Sequence, residues 1–156
     1  MDDSDKIRRI LGKSRTIAVV GLSAQWHRPS YFAAKYMQDH GFRVIPVNPT
    51  YDEILGEKCF KSVKDIPVAV DVVDCFRKSA EIPAIAEEAI AIGAKVLWMQ
   101  LGVKNAVARA RAEAAGLEVV ENRCVKIEHG RFFGGLGWVG VNTKVISAKR
   151  ASPPNC

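Results

Sequence analysis

Gly21, Leu22, Ser23, Arg28, Pro29 and Ser30 stand together in the stretch GLSAQWHRPS, directly after the apolar run TIAVV. A chain that leaves a strand through a glycine and enters a helix at a proline turns unpaired backbone N–H groups and the positive helix end toward whatever lies in front. The guanidinium of Arg28 and the hydroxyls of Ser23 and Ser30 add directional donors, so a phosphate is the ligand this turn suits. Pro29 fits the first helical turn, where no N–H is needed. Three further pairs follow other apolar runs: Asn48-Pro49 after RVIPV, Phe76-Arg77 after VDVVDC, and Gln100 with Gly102 after KVLWM. Arg77 offers a second phosphate contact, and Asn48-Pro49 a rigid turn beside a base or ribose. Gln100 and Gly102 offer an amide and bare backbone for close approach. Each also has a structural role open to it: Arg28 as a solvated loop residue, Ser30 as a helix cap, Arg77 in an ion pair with Asp74 or Glu81, Asn48 in an Asx-turn, Gly102 in a turn before the next helix.

The dinucleotide fingerprint G-x-G-x-x-G is not met, since Ser23 and Trp26 occupy the second and third glycine positions. No acidic residue closes the second apolar run, where an NAD site places its acceptor for the ribose 2′-hydroxyl. An NAD(P)-linked oxidoreductase is therefore the weaker alternative. No catalytic set emerges: His27, His40 and His129 have no acid, cysteine or second histidine at dyad or ligand spacing and read as surface or capping residues. Glu87-Glu88 reads as a solvated helix face. Cys124, with Arg123 and Lys126 nearby, is the one thiol whose neighbours would favour a thiolate, although a buried, inert cysteine is the favoured reading.

These residues must be positioned by alternating elements. Apolar runs at 16–22, 43–47, 70–76, 95–101 and, more weakly, 117–121 predict strands; alanine-rich periodic stretches at 30–40, 80–92 and 105–115 predict helices. Gly41, Gly93 and Gly116 stand between a helix and the next strand, where a left-handed residue ends a helix. The segment 48–69 reads as a loop with one helical turn in its first part and a short helix before the third strand. The expected fold is α/β, a doubly wound Rossmann-like parallel sheet of about five strands in a single domain. Its parts are an N-terminal helix over 1–15, a core over 16–130, and a C-terminal extension over 131–156; CVKIEHGRFF reads as a short helix, GGLGWVGVNTKVIS as a loop or hairpin, and ASPPNC as a frayed tail.

With 156 residues, 48% of them hydrophobic, the chain is long enough for one real core. The net charge of +6 is concentrated late: residues 123–156 carry six basic side chains and one acidic, whereas 16–122 are nearly neutral. That dispersion argues against nucleic acid as a partner. No apolar run approaches a membrane span, the start of the chain has no signal-like apolar segment, and the four cysteines form no C-x-x-C pair. A soluble cytoplasmic protein, with no membrane contact and no metal, is expected.

The joint set GLS with RPS, PVNP, EILG, CFR, WMQLGV and RCVKIEH resembles the small stand-alone CoA-binding proteins of bacteria, which are similar to the N-terminal CoA-binding domain of succinyl-CoA synthetase alpha subunits. The resemblance runs from about Ile17 to Arg150. It implies coenzyme A, or an acyl-CoA, as the small-molecule ligand at the strand ends. Gly21, Ser23, Arg28 and Ser30 would then hold phosphate, Asn48 and Pro49 border the nucleotide, Phe76 and Arg77 line and charge the crevice, and Gln100 and Gly102 face the pantetheine. It does not carry ligase activity, which depends on a histidine in a further domain. A CoA-thioester enzyme using Cys124 is a second alternative, and a CoA-sensing module with a protein partner the third.

Overall fold

In a computed structural model, which describes residues 3–134, the chain runs α1 (Asp3–Lys13), β1 (Thr16–Val20), α2 (Pro29–Asp39), β2 (Arg43–Val47), β3 (Glu53–Ile54), β4 (Glu57–Lys58), β5 (Val72–Cys75), α3 (Ile82–Ala91), β6 (Val96–Met99), α4 (Ala106–Ala114), β7 (Glu118–Val120) and α5 (Val125–Phe133). Alternate residues of a strand face opposite sides of a sheet. Ile17, Val19, Val44, Val72, Trp98 and Val120 accordingly pack with α1, α2 and α5, while Ala18, Val20, Ile45, Val73, Leu97 and Val119 pack with α3 and α4. Both faces are covered, which is why the strands read as unbroken apolar runs.

The five long strands pair in parallel in the order β2-β1-β5-β6-β7. The chain moves outward from β1 to β2, then crosses back to the other side of β1 to form β5. The switch point therefore lies between the carboxyl ends of β1 and β5. The strands end at Val20, Cys75 and Met99, earlier than the apolar runs suggest, and this releases Gly21 to Ser23, Phe76-Arg77 and Gln100 to Gly102 into the loops above the sheet. The expected fold class is the one observed.

Two local expectations are corrected. The first part of 48–69 holds no helical turn: Glu53–Ile54 and Glu57–Lys58 form an antiparallel hairpin closed by Leu55 (φ 56°) and Gly56 (φ 76°). A two-residue connection with positive φ at both positions matches the twist of paired strands, but a leucine there runs against its own preference, so the sequence does not advertise it. His129 is not a surface histidine. It is buried, its Nδ1 lies 3.0 Å from the Tyr36 hydroxyl, and burial, helped by the neighbouring His40, brings its imidazole down to about 4. It is therefore neutral at physiological pH and serves to seat α5 on α2. The readings of 135–156 as a loop or hairpin with a frayed end lie outside the described residues.

Candidate functional site

The first turn passes so close to the end of β5 that only glycine fits. Gly21 has φ +87°, and a Cβ there would sit 2.4 Å from the Phe76 carbonyl oxygen and 2.8 Å from Arg77 Cδ. Backbone bonds fix the approach: Gly21 N–H donates to Val47 O (2.8 Å) and Phe76 N–H to Val20 O (2.8 Å). Across the gap, Asn48 Nδ2 donates to Leu22 O (3.0 Å) while its Oδ1 accepts from Thr50 N (2.9 Å), so this one amide ties the β1 and β2 loops together.

Two cavities flank this crossing. The first, of about 400 Å³, is lined by Gly21, Ser23, Gln25, Arg28, Pro29, Ser30, Asn48, Thr50, Tyr51, Phe76 and Arg77. The second, of about 300 Å³, lies against α3 and includes Val20, Gly21, Val47, Pro49, Lys61, Ser62, Arg77, Glu81, Ala84, Ile85 and Glu88. Gly21 and Arg77 belong to both, forming the divide between them. A larger depression of about 470 Å³ lies over Lys104 and Asn105, just before α4, and Arg109 on it, away from the switch point; Arg109 is there engaged by Glu113 and Glu121.

The first cavity is polar and anchored at the start of α2. Ser30, in the first turn, is buried, and its Oγ accepts from Ser23 N (3.0 Å); Ser23 Oγ accepts in turn from Gln25 N (3.0 Å). Each hydroxyl keeps its own proton to donate. Arg28 caps α2 through its backbone alone, and its exposed guanidinium has no hydrogen-bond or ion-pair partner among the described residues. Arg77 is engaged: its Nε and Nη2 both donate to Glu81 Oε1, at 3.0 and 2.6 Å. A ligand phosphate would therefore find Arg28 uncommitted and Arg77 held by an exchangeable, half-exposed partner.

Most of the residues singled out in the sequence as ligand contacts or as a reactive thiol converge here, with four exceptions. Leu22 is fully buried and supplies only its carbonyl. Gln100 is buried and donates to Asp74 Oδ1 at 2.5 Å, and Gly102 donates to Asn122 Oδ1 at 2.7 Å; neither lines the two cavities. Cys124 is likewise buried, at the start of α5 and outside both cavities. Gln25, Thr50 and Tyr51 were legible only as continuations of the loops that carry Ser23 and Asn48. Lys61, Ser62 and Glu88 had no such signal, because the hairpin and the winding of α3 bring them in. Glu87 and Glu88 are not one solvated face: Glu87 pairs with Arg111, whereas Glu88 Oε1 accepts from Ser62 Oγ (2.8 Å) and Val63 N (3.2 Å).

Beneath the site, Asp74 lies fully buried on β5. Burial pushes its carboxyl up to about 7, opposed by the hydrogen bond from Gln100. Burial also raises the neighbouring Cys75 thiol. Among the described residues no group of three or more His, Cys, Asp or Glu could hold a metal ion, and no helix is long and apolar enough to cross a membrane.

Fold and site together define a doubly wound α/β protein with its crevice at the β1–β5 switch point. Residues 15–130 match the family model described as CoA binding domain, and the chain belongs to that family. It is 43% identical over 124 residues to the uncharacterized protein YneT of Bacillus subtilis, covering 80% of this chain and 92% of the relative. A hypothetical protein from Pyrococcus horikoshii superposes with a TM-score of 0.82 at 44% identity, covering 84% of this chain and 92% of the other. An acetate–CoA ligase (ADP-forming) of Methanocaldococcus jannaschii is 32% identical over 74 residues, which is 47% of this chain but only 10% of the ligase.

Proposed function

We propose that this protein binds coenzyme A or an acyl-CoA across the β1–β5 switch point, as a ligand-holding protein without ligase chemistry of its own. The observation that carries the reading is Arg28: a guanidinium without a partner among the described residues, at the start of α2, on the rim of a polar cavity, in a chain of the CoA-binding family. The asparagine that ends the β2 turn supports it, because Asn48 stands where an NAD site needs an acid. Coenzyme A brings several phosphates instead and suits the two arginines.

Isothermal titration is expected to give saturable binding of CoA and at least tenfold weaker binding of NAD. No detectable heat at millimolar CoA would overturn the reading. Arg28→Ala is expected to weaken CoA binding by roughly 1–3 kcal/mol, the value of a charge-assisted hydrogen bond, which is about 5- to 150-fold in Kd. An unchanged Kd would make Arg28 an ordinary loop residue.

A further inference from the structure

We propose that Glu88 reads the base of the nucleotide: the cavity on the α3 side takes a 6-aminopurine, and the Glu88 carboxylate accepts a hydrogen bond from its exocyclic amino group. This rests on the CoA reading above, and it assigns a role that the family match does not supply. The two cavities meet at Gly21 and Arg77, so a ligand with its phosphates in the polar cavity extends across that divide into the second. The second cavity is walled by Val20, Val47, Pro49, Ala84 and Ile85, a slot suited to a flat, largely apolar ring.

Its polar groups narrow the choice of occupant. Lys61 donates to Pro49 O (3.0 Å) and lies 3.6 Å from Asp52, while Glu81 is occupied by Arg77. Glu88 differs from these, because the bonds from Ser62 Oγ and Val63 N both fall on Oε1 and hold the carboxylate in place. No hydrogen bond from another described residue reaches Oε2. A carboxylate only accepts, so it repels a second phosphate and favours a ring that presents an N–H. A 6-oxopurine keeps an N–H at ring position 1 but sets a carbonyl oxygen where the exocyclic amino group would face the carboxylate, and a site built around one hydrogen bond discriminates most strongly against an analogue that cannot make it at that position.

The test uses the full chain and two probes, CoA and its 6-oxopurine analogue, with affinities measured by titration calorimetry. Wild type is expected to prefer CoA by about ten- to a hundredfold. Glu88→Ala removes both the bond to the amino group and the repulsion of the 6-oxo group, so it should weaken CoA, leave the analogue no weaker than in wild type, and abolish the preference. Glu88→Gln, which keeps an acceptor for Ser62 and Val63 and guards against a folding defect, should lose most of the preference while melting as wild type does. Equal affinities in wild type, or a preference retained in Glu88→Gln, would overturn the inference while leaving CoA binding intact. Absence of CoA binding in wild type would instead overturn the reading on which it rests.

Discussion

Gly21→Ala is expected to lower the melting temperature by about 5–20 °C and to take CoA binding with it. The added methyl would lie 2.4 Å from the Phe76 carbonyl oxygen, a backbone atom that cannot rotate away, and 2.8 Å from Arg77 Cδ. Overpacking of this kind costs about 1–3 kcal/mol, and a non-glycine residue at a left-handed φ costs a further 1–2 kcal/mol or so. The two together are roughly 2–5 kcal/mol. Relief requires the β1 turn and the end of β5 to move apart, which separates Ser23 and Ser30 from Phe76 and Arg77. Gly116→Ala isolates the conformational part, since Gly116 has φ +95° with no atom near its Cβ position. Thermal melts of both variants check the argument: a Gly21→Ala protein as stable as Gly116→Ala would show that the turn is not packed against β5 as described.

Asp74→Asn is expected to remove a pH dependence worth about 4 kcal/mol. In the unfolded chain this carboxyl ionises near 3.8, and in the fold near 7. Between those values the unfolded chain releases a proton that the folded chain keeps. The stability carried by the neutral carboxyl is thus fully present below about pH 3.8 and is lost as pH rises through 7. Asparagine can accept the same bond from Gln100 Nε2 and does not ionise. Urea unfolding at intervals from pH 4 to pH 8 should show wild type losing stability relative to the variant as pH rises, with Asp74→Asn the more stable protein at pH 8. Parallel profiles would mean that Asp74 is solvated or charged throughout.

The hydrophobic pattern announced the architecture. Runs such as TIAVV and VLWM, apolar on both faces, have no stable place except a parallel sheet covered on both sides, and glycines between helix and strand mark where each unit turns. The turn residues were legible for a related reason: Gly21, Arg28, Pro29 and Ser30 are neighbours along the chain, so their types and spacing carry their own geometry. Gln100 shows the limit of that method. Its position after a strand is that of a ligand contact, yet the strand's last turn directs it down to Asp74, a residue 26 positions away whose buried carboxyl needs a donor. The Leu55-Gly56 hairpin tip and the burial of His129 escaped for the same cause, since long-range packing overrode local preference in both.

By itself, then, the sequence determined the sheet, the direction of its strands and a phosphate-type turn at the end of the first one, because these depend on hydrophobic periodicity and on backbone geometry over a few residues. Only the tertiary structure decided that Gly21 is required by the Phe76 carbonyl, that Arg77 is held by Glu81 between two cavities, and that Glu88 is turned inward while Glu87 is not. Each of those outcomes depends on atoms brought together by the crossing of β1 and β5 or by the winding of α3. Distance along the chain carries no record of such contacts.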